Sequence, residues 1–353
     1  MDNRELQTEH CLSSSSSMGS EYQSHLCFPQ LGNISCKKLT YDGSLSFLFF
    51  RVFLSIFCVL TVLLNLLVII SVSHFRQLYT PTNILLLSLA ISDVLVGLVA
   101  MPLMIIMSTA CWFFGPMACV LWNYLTFICQ SASVGNMVLI SADRFLAICY
   151  PLHYTVKVTV KKIQLCVCLC WSASVIFCTI SLKDNLADPE LFHTCIGECF
   201  SSFGVIGGIL DFIVNFFLPL SIIVTLNMRV FVVVVYQVRA MRSLNKRVQH
   251  SAPFRAKKSE LKAANTLGVL ILVFLLCFCP FYIVPLLVRE HENSSSVVDY
   301  VYYLYNLNSC VNPLIYAAFY PWFRRAIKHI VTLHIFQPGS CDTDILKTKR
   351  AHI

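Results

Sequence analysis

Two carboxylates stand alone inside long apolar runs of this chain. One is Asp93, in Leu89-Ala90-Ile91-Ser92-Asp93; the other is Asp211, in Gly207-Gly208-Ile209-Leu210-Asp211-Phe212-Ile213-Val214-Asn215. A carboxylate at the centre of a bilayer costs roughly 2.5–3.5 kcal/mol on insertion scales, so an acid kept there reads by default as a site for a proton, a cation or a charged ligand. No lysine or arginine in the second to seventh runs stands at the depth of Asp211 to pair with it. Asn215, one helical turn further on, shares its face. A third charged element, Asp143-Arg144-Phe145, closes another apolar run, and a guanidinium there needs a carboxylate or a cavity. Near the end of the chain, Asn308-Ser309-Cys310-Val311-Asn312-Pro313-Leu314-Ile315-Tyr316 sets a proline inside an apolar span. Pro313 removes a backbone hydrogen bond, and the flanking asparagines can take up the carbonyl it frees.

The elements that must position these groups are membrane helices. The chain is 57% hydrophobic and 12% charged, with mean hydropathy +0.72, too apolar for one water-soluble core. Seven apolar runs, at roughly 45–73, 82–107, 117–142, 163–181, 203–236, 264–288 and 297–319, are each near or above the ~20 residues that a helix needs to cross the hydrocarbon. The fold class read from them is an all-α membrane protein, a bundle of seven transmembrane helices. After the last run, Tyr320-Pro321-Trp322-Phe323-Arg324-Arg325 suits a short amphipathic helix on the inner membrane face, aromatics in the headgroups and arginines toward anionic lipid. The chain divides into a tail at 1–43, a seven-helix domain at 44–319, and the amphipathic helix with its tail at 320–353.

Charge orients the bundle. His74-Phe75-Arg76, then Lys157, Lys161 and Lys162, then a basic stretch from Arg239 to Lys258 follow the first, third and fifth runs. The loop at 182–202 holds Asp184, Asp188, Glu190 and Glu198 against one lysine. The positive-inside rule places the N-terminus outside the cell and the C-terminus in the cytosol of a multi-pass plasma-membrane protein. The net charge of +8 is mostly this asymmetry and does not point to nucleic acid. Residues 1–43 are polar with a Ser13–Ser17 run and no apolar core, so the first span is expected to act as its own insertion signal.

Of eighteen cysteines most sit within the spans as small hydrophobes. Cys11, Cys27, Cys36, Cys111, Cys119, Cys195 and Cys199 lie outside or at the outer rim. At least one of the seven is spare, and six alone allow fifteen pairings. Asn33-Ile34-Ser35 and Asn293-Ser294-Ser295 are glycosylation acceptors on the same side.

The spacing Asn-Ser-x-x-Asn-Pro-x-x-Tyr-x-x-x-Tyr-x-Trp-Phe over residues 308–323 resembles the seventh-helix signature of the trace amine-associated receptors. These are rhodopsin-like G-protein-coupled receptors, many of them olfactory. The resemblance extends over about residues 25–335, with Asn65 and Trp171 as further landmarks. It implies a disulfide between Cys119 and Cys199, and a second outer-loop cysteine, Cys195, that holds the N-terminal tail. The expected pairs are therefore Cys119–Cys199, Cys27–Cys195 and Cys36–Cys111, with Cys11 free.

It also implies roles for the charged groups. Arg144, oriented by Asp143, is expected to pair in the resting state with Glu260, at the cytosolic start of the sixth span. Breaking that pair, with Asn312, Pro313 and Tyr316 in the relay, would open a groove for a G-protein helix; an arginine reaching headgroups is the alternative. Asp93, Ser133, Asn308 and Asn312 offer hard oxygen ligands that suit a small cation, and the family implies sodium there; a plain hydrogen-bonded cluster is the alternative. No other cofactor is expected. Three positions depart from the pattern: Phe278 in Cys277-Phe278-Cys279-Pro280 replaces the usual tryptophan, Asn227 the usual tyrosine, and Leu64 the usual glycine. The first two touch the activation relay.

The family's amine-binding carboxylate stands seven residues after the third-helix cysteine, and here that residue is Thr126. A threonine cannot neutralise an ammonium ion. Asp211, eight residues before Pro219, is the replacement, similar to fish members of the family that carry the amine-binding acid on the fifth helix. A neutral carboxyl hydrogen-bonded to its neighbours is the competing reading. Around Asp211 and Asn215, family position and helical spacing imply a cage of Thr126, Gln130, Phe278, Phe281, Tyr282, Tyr303 and Asn306. Aromatic faces attract a desolvated ammonium by ~0.5–2 kcal/mol each. Asp299 and Glu198 are candidate second acids that would favour a diamine.

No phosphate loop, HExxH or nucleophile elbow is present, so no enzyme chemistry is expected. The expected function is an olfactory receptor for protonated amines, acting through a stimulatory heterotrimeric G protein to raise cAMP. The rivals are a receptor of the same fold for a neutral ligand, and a transporter, against which stands the lack of internal repeats.

Overall fold

A computed structural model describes residues 26–36, 45–107, 110–190, 195–199, 203–245, 268–269, 272–284 and 294–346. Helices dominate them. The first, α1, is Leu45–His74; α2 runs over Pro81–Met107 with a π-helical turn at Val96–Ala100; α3 is Gly115–Cys149 and α4 is Val160–Ser181. Helix α5 comprises Val205–Asp211, a π-helical turn at Phe212–Phe217, and Leu218–Asn245. Helix α6 is described over Leu272–Val284, α7 is Ser294–Phe319, and α8 is Pro321–Val331. Among the described residues, α1 to α5 are long and apolar enough to cross a membrane.

Local chemistry sets these boundaries. Thr80 and Thr159 cap α2 and α4, each hydroxyl accepting from the amide three residues on, and Pro81 takes the first helical position of α2. Helix α3 runs past its apolar stretch through Asp143 and Arg144 to Cys149, because nothing breaks it before Pro151. The charged pair is therefore inside the helix, two turns from its end. At the end of α7, Arg324 Nη1 donates to the carbonyls of Ala317 and Ala318 at 2.7 and 3.0 Å, satisfying acceptors the helix leaves over.

Helix α3 packs against α2, α4 and α5, while α1 packs against α2 and α7. Gly135 of α3 faces Cys170 of α4 so closely that any side chain would collide with the sulfur. Polar pegs join the helices: Trp171 Nε1 donates to Ser88 Oγ at 3.1 Å, and Asn65 Nδ2 donates to the Ser309 carbonyl at 3.0 Å. The main apolar core gathers Leu85, Leu89, Val134, Ile140, Ile223, Phe274, Phe278 and Tyr316 from five helices.

One end of the bundle carries three disulfides, and their pairing corrects the expectation. Cys119 is bonded to Cys199, but Cys27 is bonded to Cys111 and Cys36 to Cys195, not Cys27 to Cys195 and Cys36 to Cys111. Backbone pairing is the reason. The tail lies along the loop, with Ile196 N donating to the Ile34 carbonyl and Cys36 N to the Ile196 carbonyl, which sets Cys36 beside Cys195. A 3-10 turn at Pro29–Ile34 returns the chain so that Cys27 N donates to the Cys36 carbonyl, while Trp112 N donates to the Gly197 carbonyl and brings Cys111 to Cys27. Gly197 has φ 108, and a Cβ there would lie 2.8 Å from Cys27 Cβ. Asn33 is exposed on this end. Asn293, Glu260, Cys11 and the basic stretch beyond Asn245 lie outside the described residues, as does the side chain of Asp299.

Candidate functional site

Asp211 is the last residue before the π-helical turn of α5, and its side chain is buried, 6% exposed. Asn215 Nδ2 donates to Asp211 Oδ1 at 2.8 Å, and the Tyr282 hydroxyl donates to Oδ2 at 3.1 Å. Both donors are neutral, and among the described residues no cation pairs with the carboxylate. Aromatic rings wall the site. Phe216 stacks on Tyr282 at 4.7 Å, Phe212 meets Tyr282 edge-on at 5.7 Å, and Tyr302 meets Phe281 edge-on at 5.5 Å. Phe281 stacks on Tyr305 at 4.4 Å and meets Tyr282 edge-on at 5.0 Å, and Phe278 meets Tyr305 at 4.6 Å beneath them. A carboxyl group with lone pairs to spare, held by two neutral donors beside a cluster of rings, is chemically suited to an organic cation.

The expected residues divide. Asn215, Tyr282, Phe281 and Phe278 are joined to Asp211 through this network. Gln130 and Asn306 form a second polar pair across α3 and α7, with Gln130 Nε2 donating to Asn306 Oδ1 at 3.0 Å. Asn306 in turn donates to the Tyr302 carbonyl at 2.8 Å. Thr126 spends its hydroxyl on the Trp122 carbonyl, 2.8 Å away in its own helix. Tyr303 is placed elsewhere, packed with Phe50, Trp112, Trp122 and the Cys119–Cys199 bridge. Its neighbours Tyr302 and Tyr305 take the inward face of α7. The signal that could have found them was the run Tyr302-Tyr303-Leu304-Tyr305, in which the rings differ only in helical phase.

Asp93 is fully buried. Asn312 Nδ2 donates to its Oδ2 at 2.9 Å, and Ser133 Oγ donates to Oδ1 at 3.5 Å, with Ser92 Oγ 2.8 Å from Ser133 Oγ. Ser309 Oγ and Asn308 Nδ2 are buried nearby on α7, and neither makes a hydrogen bond to the carboxylate. The oxygens Asn312 Oδ1 and Asn65 Oδ1 are buried without a hydrogen bond. This set of oxygens fits a small hard cation.

At the opposite end from the disulfides, Asp143 is held by two hydroxyls. Thr82 Oγ1 donates to Oδ2 at 2.7 Å and the Tyr154 hydroxyl to Oδ1 at 2.8 Å. Burial pushes the Tyr154 hydroxyl up from its ordinary value, which keeps it a donor. Arg144 Nε lies 3.8 Å from Asp143 Oδ2, with the arginine side chain 19% exposed and the aspartate 1%. Neither Thr82 nor Tyr154 was foreseen; Tyr154 stands in the short helix Pro151–Lys157 directly after α3. Tyr316 is buried, and Asn227 donates to Ser141 Oγ at 3.3 Å between α5 and α3.

A helical bundle with a buried acid toward one end and an Asp-Arg pair at the other is an arrangement that receptors share, and comparison with known proteins gives the class. Residues 64–316 match the family described as 7 transmembrane receptor (rhodopsin family). Trace amine-associated receptor 13c of Danio rerio is 38% identical over 331 residues, 91% of this chain and 96% of that protein. Trace amine-associated receptor 1 of Mus musculus is 35% identical, covering 90% and 98%, and that of Homo sapiens 34%, covering 87% and 94%. The chain belongs to the trace amine-associated receptors, a rhodopsin-like family of G-protein-coupled receptors and not of enzymes. It is a multi-pass membrane protein with a small-molecule ligand and a G-protein partner.

Proposed function

We propose that this receptor is an odorant-type amine receptor of the plasma membrane that binds a protonated amine at Asp211 and acts through a stimulatory G protein to raise cAMP. The observation that carries the reading is the Asp211 carboxylate, buried within α5, held by two neutral donors and walled by aromatic rings. The names of the relatives, trace amine-associated receptors, support the amine. An ammonium group entering from the disulfide end would take the open lone pairs of Asp211, while Phe281, Tyr282, Tyr302 and Tyr305 enclose its alkyl or aryl body. Gln130 and Asn306 lie toward the far side of that body as neutral hydrogen-bonding groups.

The basic loops support an orientation with the disulfide end outside and the Arg144 end in the cytosol. In the resting receptor Asp143 holds Arg144, and Asp93 with Ser133, Ser309 and Asn312 would hold a sodium ion, whose charge would stabilise the closed packing of α2, α3 and α7. Movement of α6 and α7 around Pro280 and Pro313 would free Arg144 for a G-protein helix.

The test is cAMP in cells expressing the chain, against a panel of mono- and diamines at neutral pH, repeated with Asp211→Asn. An amine response lost in the variant while surface expression persists supports the anchor. A response that survives makes Asp211 structural. A receptor at the surface that ignores every amine favours the second reading, a neutral ligand, for which the one motivating observation is the self-satisfied Thr126.

A further inference from the structure

The segment after α8 folds back onto the receptor. Helix α8 ends at Val331, Leu333 takes a left-handed backbone (φ 59), and Gly339 (φ 79) turns the chain again. These two reversals return Ser340–Ile345 to the loop between α1 and α2, at the Arg144 end. Ile345, 1% exposed, fills a socket made by Phe75, Leu78 and Ala326, with Trp322 packed at its edge. Four polar contacts fix its register. Arg325 Nη1 donates to the Ile345 carbonyl at 2.7 Å, and His74 Nε2 lies 3.0 Å from Ser340 Oγ. Ser340 Oγ itself donates to the Ile335 carbonyl at 2.6 Å, and Arg76 pairs with Asp342 at 3.3 Å.

This contact is built to open. One apolar side chain anchors it, and the Arg76–Asp342 pair is 77% and 62% exposed, where solvent screens the attraction. Asp342, Asp344 and Leu346 all face outward. A short segment with a single buried anchor belongs to the low-stability end of a structure. The socket beneath it is rigid by comparison, since Phe75 and Leu78 are fully buried in the loop and Asn83 Nδ2 ties that loop to α2 through the Leu78 carbonyl at 2.8 Å.

We propose that Ser340–Ile345 is a displaceable strap that occupies a docking socket for the G protein, so that the receptor's own tail limits coupling. The incoming segment would mimic the strap: a branched aliphatic side chain for the socket, an acid three residues earlier for Arg76, and a free carbonyl for Arg325. The proposal rests on the reading that the Arg144 end faces the cytosol, and not on the amine.

The test uses the receptor in nanodiscs without ligand, as the full chain, as Ile345→Asp, and as a chain ending at Gln337. Hydrogen exchange is followed at residues 75–79, and nucleotide exchange on purified stimulatory, inhibitory and phospholipase-activating heterotrimers. Both variants should raise exchange at the loop severalfold and speed nucleotide release on one heterotrimer severalfold. A synthetic peptide of residues 338–353, added to the shortened chain, should reverse both effects, and the same peptide with Ile345→Asp should not. Unchanged loop exchange in both variants, with no binding of the peptide, overturns the strap. Raised loop exchange with unaltered nucleotide release on all three heterotrimers overturns the competition. Acceleration on a heterotrimer other than the stimulatory one upholds the strap while refuting the stimulatory assignment.

Discussion

Asp93 and Asp211 are the same side chain in the same kind of span, and their surroundings differ in kind. Asp93 is enclosed by oxygens and amides from three helices: Ser92 of α2, Ser133 of α3, and Ser309 and Asn312 of α7. Asp211 meets one amide, one phenol and a wall of rings. Hard, compact oxygen donors replace the hydration shell of a small ion. Aromatic faces solvate a large organic cation, which keeps its own carbon skeleton against them. On the proposed reading, one acid would hold an ion the bundle can close around, the other a molecule that enters and leaves. Packing agrees, since Asp93 is fully buried at the meeting of α2, α3 and α7, whereas Asp211 sits on α5 and keeps 6% exposure.

The contrast breaks most directly at Asp211→Asn. Removing one member of a buried charge pair costs about 3–5 kcal/mol, so amine potency in the cAMP assay should fall at least ~100-fold at unchanged surface expression. Sodium sensitivity should survive that change. Asp93→Asn should do the reverse, abolishing the effect of sodium on thermal unfolding of the purified receptor while moving amine potency no more than about thirtyfold, in line with a coupling of ~1–2 kcal/mol between distinct sites. If both substitutions abolish both effects, the two acids act as one site. Tyr282→Phe removes one hydrogen bond to Asp211 and keeps the ring, and should weaken amine potency about three- to tenfold, as expected for ~0.5–1.5 kcal/mol. Phe281→Leu should cost about two- to fivefold through a lost π face, ~0.5–1 kcal/mol. Tyr303→Phe should leave amine potency unchanged in the same dose–response assay, because Tyr303 packs with Phe50 and the outer tryptophans.

Sequence was most informative where cost is local. An acid in an apolar run and a proline in a span each declare themselves through the free energy of one residue, and Asp93, Asp211 and Pro313 could be read in that way. It was least informative where identity depends on a partner far along the chain. Cys27, Cys36, Cys111 and Cys195 are chemically equivalent, and the pairing follows from the tail lying along the loop through Ile34, Cys36 and Ile196, contacts separated by about 160 residues. Tyr302, Tyr303 and Tyr305 are likewise equivalent until the rotation of α7 is known, since one residue turns a helix by roughly 100°. The strap at Ile345 carries no pattern at all, because a single aliphatic residue becomes an anchor only when Phe75, Leu78 and Ala326 form its socket.

The amino-acid sequence by itself determined that this chain is a helical membrane protein, and that its charge-bearing residues stand at Asp93, Asp143–Arg144 and Asp211. Hydropathy and insertion cost act on each segment separately, so no tertiary information is needed for that. Only the tertiary structure decided which groups face those charges. Thr82 and Tyr154 hold Asp143, and Tyr302 and Tyr305 rather than Tyr303 join the rings about Tyr282 and Phe281, whereas Asn215 and Tyr282 were expected beside Asp211 and are found there. The physical reason is that helix rotation, the π-helical turn after Asp211 and the disulfide register arise from packing among all the helices at once, and no single segment encodes them.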